Sequence, residues 1–112
     1  SRVLVLGAAY KPDVDDLRES PSLDVIGLLK RKGAIVNYHD PHIPHLAHEE
    51  FDMVSIPDGD LLAEAKAADA VVIVTNHSRY DYPAILAASR LIIDTRNALG
   101  KMGAGNPKVV RL

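Results

Sequence analysis

Cysteine is absent from the chain, which excludes a disulfide framework and any covalent chemistry through a thiolate. Tryptophan is missing as well and phenylalanine occurs once, so the core has to be built from Val, Ile, Leu and Ala. Basic charge is not in excess: 13 Lys and Arg face 15 Asp and Glu, for a formal net charge of −2. A nucleic-acid-binding module carries a basic footprint that this chain lacks. No apolar run approaches the roughly 20 residues that a membrane-spanning helix needs. No internal repeat, low-complexity tract or secretory signal pattern is visible. A cytoplasmic protein that touches neither nucleic acid nor membrane is the expectation.

What is present is an alternation of short aliphatic runs and amphipathic stretches over 112 residues, enough for one domain spanning 1–112. Val3–Leu6 is a short β-branched run ending at Gly7, the pattern of a buried parallel strand. Residues 20–33 read as a helix, with Ser20 as N-cap, Pro21 at the first position, basic residues 30–32 near its end and Gly33 as its stop. Ala34–His39 is a second strand closed by Asp40-Pro41. Residues 42–57 contain Pro44 and Pro57 with little periodicity and are expected to be irregular, apart from a short edge strand in 51–55. A helix over 58–67 with Asp58 as its cap follows, then the strand 70–74. A helix over 82–88 and strands at 91–94 and 109–112 complete the chain.

Strands and helices alternating at this spacing define an α/β three-layer sandwich around a Rossmann-like, mostly parallel sheet. Right-handed crossovers place strands 35–39 and 71–74 on opposite sides of strand 3–6. The switch point then lies between strands 3–6 and 71–74, and ligands of such sheets bind at the carboxyl ends of the strands there. Three connections converge on that edge: residues 8–20, 75–78 and 95–97.

The first connection is the one the chain is organised around. It runs Ala9-Tyr10-Lys11-Pro12, then Asp16-Leu17-Arg18-Glu19-Ser20-Pro21, about a dozen residues where a βα turn usually takes two to six. A dinucleotide cradle would need G-x-G-x-x-G here, but the corresponding positions are Gly7, Ala9 and Pro12. Lys11 and Arg18 are the cations of the loop, a point charge and a bidentate fork suited to phosphate or carboxylate. A solvated excursion is the bland alternative. Asp40 ends the second strand where a ribose-binding acid would stand, but a simple Asp-Pro turn is the favoured reading. His77 could meet a ligand or cap the turn after it. His39, His42, His45 and His48 recur at every third position, but Pro41 and Pro44 break any helical register, so no metal is expected.

Ala9-Tyr10-Lys11-Pro12 with Asp16-Leu17-Arg18-Glu19-Ser20-Pro21 closely resembles the signature of the C-terminal, UDP-binding domain of the UDP-glucose/GDP-mannose dehydrogenase family. The form is most like the bacterial UDP-N-acetylhexosamine 6-dehydrogenases of surface-polysaccharide synthesis. The resemblance covers nearly the whole chain but only one of the three domains of such enzymes. It implies that Tyr10 and Lys11 contact the nucleotide sugar and that Arg18 reaches NAD held by an N-terminal domain. It also implies that Arg96, in Asp94-Thr95-Arg96-Asn97, binds substrate, often across a subunit interface of a homo-oligomer. A surface salt bridge of Arg96 to Asp94 or Asp81 is the plain alternative. These enzymes oxidise the sugar C6 alcohol to a carboxylate through a cysteine, which this chain does not have. A free-standing nucleotide-binding or regulatory module stays open beside this reading. So does a flavodoxin-like domain, although the loop lacks that fold's Ser/Thr-rich phosphate cradle.

Overall fold

The structure, a computed structural model, describes residues 1–8, 21–47 and 52–111. A five-stranded parallel sheet runs in the order β2-β1-β5-β6-β7, with β1 at Arg2–Leu6, β2 at Ile35–His39, β5 at Ala70–Ile73, β6 at Ile92–Asp94 and β7 at Val109–Arg111. β1 and β5 are neighbours and β2 lies on the other side of β1, so the switch point falls where the strand pattern placed it. Helix α1 (Pro21–Arg31) covers one face, and helices α2 (Leu61–Ala67) and α3 (Tyr82–Ala88) cover the other.

The two-residue alternation of β1 divides the core. Val3 and Val5 join Ile26 of α1 together with Val36, Tyr38, Val72 and Val74. Leu4 and Leu6 point the opposite way, toward Ala65 of α2, Ile85 of α3, Ile73 and Ile92. Both faces of the sheet centre are therefore buried, which is why β5 and all of β1 after Arg2 are aliphatic rather than alternating with polar residues. Helix α1 ends with Lys30 and Arg31 in its last turn, and Gly33, at φ +87°, lets Ala34 N–H return to Leu29 O at 3.0 Å. That is the glycine-terminated helix stop that the sequence signalled.

Residues 42–47 and 52–57 are more ordered than expected. β3 (His45–Ala47) and β4 (Asp52–Val54) form a separate antiparallel pair rather than an edge of the main sheet. The pair is seated on the α1-side core by Ile43 and Leu46, both buried, and Tyr38 donates its hydroxyl to Ile43 O at 2.9 Å. His45 and Asp52 face each other across it as an ion pair. Asp58 does not cap a helix. A 3-10 turn at Asp58–Asp60 precedes α2, with no side-chain cap at either start, and the Asp58 carboxylate goes elsewhere.

Candidate functional site

The site grows from the carboxyl ends of adjacent strands. Leu6 is in register with His39 on one side and with Ile73 on the other, and Ile73 with Asp94. The residues that follow are therefore set side by side along one edge. At Gly7 the chain turns with φ +97°, and a Cβ there would stand 2.6 Å from Thr75 Cβ. Only glycine allows the backbone this close to the end of β5. Gly7 N–H donates to His39 O at 2.8 Å, while the Val74 and Thr75 amides both donate to Leu6 O.

Asp40, immediately beyond β2, is buried, and its carboxylate is the hub of the edge. Oδ1 accepts the His42 amide at 2.7 Å, which is the turn expected of Asp-Pro. Oδ2 accepts the Ala8 amide at 2.7 Å and His77 Nε2 at 2.8 Å. Three N–H donors are what a carboxylate needs in order to stay charged away from water. His77 is fully buried in this role rather than exposed beside a turn.

Next to this hub lies a second network. Tyr80 donates its hydroxyl to His39 O at 2.7 Å, His39 Nδ1 lies 3.2 Å from the same hydroxyl, and His39 Nε2 lies 2.6 Å from Asp58 Oδ1. The hydrogen bond from His39, and then its charge, holds the Asp58 carboxyl below the usual carboxylate range. Burial, reinforced by the charge of Asp40, pushes the Tyr80 phenol far up and the Tyr38 phenol to about 12. His39, Asp58, Tyr80 and Arg79 line a cleft of about 250 Å³ closed by Pro41 and Leu61.

At the far side of the edge, buried Asp94 accepts the amides of Arg96, Ala98 and Leu99 at 3.1, 3.0 and 3.0 Å. Thr95 Oγ1 donates to Ile73 O at 2.6 Å, tying the same turn to β5. Asn97 completes the turn at φ 53°. Arg96 is thus presented, exposed, on a turn held by four hydrogen bonds. Among the described residues its guanidinium makes no ion pair with Asp94 or Asp81, so the salt-bridge alternative is not what the chain builds.

Of the site residues expected from sequence, Arg96 falls on this edge. Tyr10, Lys11 and Arg18, with the Ser20 cap, lie outside the described residues; both roots of their segment, Ala8 and Pro21, are in place. The network of His39, Asp58 and Tyr80 was not expected. Its one signal was His39-Asp40-Pro41 standing at a strand end, where ligand edges form. A dinucleotide does not fit the described edge in its usual manner. The acid at the end of β2 is spent on Ala8 and His77 instead of facing a ribose. Among the described residues no group of three or more His, Cys, Asp or Glu could hold a metal ion.

Fold and edge together define a class, a Rossmann-like α/β domain whose ligand edge is built without the glycine fingerprint. The family model described as "UDP-glucose/GDP-mannose dehydrogenase family, UDP binding domain" matches residues 4–101, and the chain belongs to that family as its UDP-binding domain. It is 34% identical over 106 residues to a UDP-N-acetyl-D-mannosamine dehydrogenase of Methanococcus vannielii, covering 88% of this chain and 23% of that protein. A UDP-glucose 6-dehydrogenase of Rhizobium meliloti is 31% identical over 106 residues, covering 90% of this chain and 24% of that protein. The structure of a UDP-D-ManNAc dehydrogenase from Pyrococcus horikoshii superposes with a TM-score of 0.71 at 27% identity, over 97% of this chain and 24% of the other. The chain thus spans about a quarter of the length of the relatives it matches. No helix among the described residues is long and apolar enough to cross a membrane.

Proposed function

We propose that this chain forms the nucleotide-sugar wall of an NAD-dependent UDP-sugar 6-dehydrogenase, a cytoplasmic homo-oligomer when joined to its cofactor-binding and central domains. The observation that carries the reading is the convergence on one edge of the Gly7–Ala8 root, the Thr75–His77 connection and the Arg96 turn. A ligand laid across the ends of β1, β5 and β6 meets all three. Tyr10 and Lys11, two and three residues beyond Ala8, take the uridine diphosphate sugar. Arg96 adds a bidentate donor for phosphate from the opposite side. Arg18 faces NAD, which supplies hydride acceptance when bound by the cofactor domain. The described residues contribute position and charge, and the thiolate required by oxidation of the C6 alcohol comes from outside this chain.

Calorimetric titration with uridine diphosphate, UDP-glucose, UDP-N-acetylhexosamines, guanosine diphosphate and NAD tests the proposal. Uridine diphosphate and its sugars should bind weakly, the guanosine analogue more weakly still, and NAD alone hardly at all. Equal response to every nucleotide, or nuclear magnetic resonance shifts clustered at residues 42–47 instead of the strand ends, would overturn it.

A further inference from the structure

We propose that Asp40 is a positioning residue for nucleotide-sugar binding, acting with His77 through the Ala8 amide; this rests on the functional reading above. Three segments meet at the Asp40 carboxylate, and each belongs to the ligand edge. The Ala8 amide comes from the end of β1, His77 Nε2 from the connection after β5, and the His42 amide from the turn after β2. The oxygen that holds Ala8 is the one that holds His77, at 2.7 and 2.8 Å. Neither side chain is reached by solvent: both are 0% exposed. The pair therefore cannot touch a ligand, and its effect on one has to pass through the backbone it grips.

That backbone is the root of the segment bearing Tyr10 and Lys11. Gly7 is already fixed by Thr75 on one side and by His39 O on the other. With Gly7 and Ala8 both anchored, the direction in which the chain leaves β1 is set before any ligand arrives. Preorganisation of this kind raises affinity by removing the ordering cost at binding. A carboxylate is suited to the task because two donors can share one oxygen while the second oxygen holds the turn. An amide at position 40 must turn its NH2 toward one of those donors, and either Ala8 or His42 loses its partner.

The test compares Asp40→Asn, His77→Ala and His77→Gln in the same chain, reading the dissociation constant for uridine diphosphate and the thermal midpoint, with binding measured well below each midpoint. His77→Gln carries an amide donor where Nε2 stands, so it should bind within about twofold of the parent even with a lowered midpoint. Asp40→Asn and His77→Ala should each weaken uridine diphosphate about tenfold. Exchange of the Ala8 or the His42 amide proton should speed up in Asp40→Asn, and both should stay protected in His77→Gln. If Asp40→Asn and His77→Ala lower the midpoint but bind like the parent, the pair is purely structural and the inference falls while the functional reading stands. If the parent binds no uridine diphosphate, the functional reading fails and takes this inference with it.

Discussion

Replacing Gly7 with alanine would bring a methyl carbon to 2.6 Å from Thr75 Cβ and 2.8 Å from Thr75 N, at a backbone angle that side chains rarely adopt. Neither neighbour can give way, since one is backbone and the other is a buried side chain at the end of β5. Overpacking and the left-handed backbone each cost on the order of 1–3 kcal/mol. Gly7→Ala should therefore lose about 2–6 kcal/mol, seen as a lowered urea midpoint with an unchanged m-value. Asp58 makes a smaller, pH-dependent contribution. The hydrogen bond and charge of His39 hold its folded pKa below the ordinary 3.8, so the stability it adds is present above that value and is lost as pH falls through the lower folded one. Thermal midpoints of the parent and of Asp58→Asn should accordingly differ near neutral pH and converge in acid, below the folded value. An undiminished gap in acid would detach the effect from the carboxylate. The partners at this scale were the least legible in the sequence. The Asp40 turn could be read from Asp-Pro, but its second oxygen serves Ala8 and His77, 32 and 37 residues away, and local chemistry does not encode so distant a partner.

Elements were far easier to read wherever burial on both faces leaves an unbroken aliphatic run. Val3–Leu6 and Ala70–Val74 announce strands because nothing polar can stand in them, and Pro83 with Asp81 marks the start of α3, where Asp81 accepts the Ala84 amide at 3.2 Å. The paired strands β3 and β4 escaped because three residues are too short to show an alternation, and because Pro44 argues for irregular chain. Among the described residues Ile43 and Leu46, with partly buried Met53, anchor that pair in the core, and such isolated apolar residues look no different from surface ones in sequence. The pair should behave as a true core element. Leu46→Ala, at a fully buried position, should cost about 2–5 kcal/mol. Val54→Lys, on the neighbouring strand with its side chain 72% exposed, should stay within about 0.5 kcal/mol of the parent. Chemical denaturation of the two variants measures both, and equal losses would mean that the pair packs differently.

For the molecule as a whole, the division of labour sets the expected activity. With no cysteine and no glycine cradle for a dinucleotide, the 112-residue chain should give no measurable NADH from UDP-glucose or UDP-N-acetylhexosamine with NAD. Absorbance at the reduced-nicotinamide band is the assay, and any turnover above a no-protein blank would contradict the proposed function. The strand order carries a consequence for how the chain comes into being. β1 is translated first, yet it lies second in the sheet, and its partner on one side is Ala70–Ile73. Its other partner, Ile35–His39, arrives roughly half as far along. A nascent chain therefore carries Val3-Leu-Val-Leu6 with one unpaired edge until some seventy further residues have left the ribosome, at about 5–20 residues each second. For those seconds, this aliphatic strand is the one most in need of a chaperone's grip.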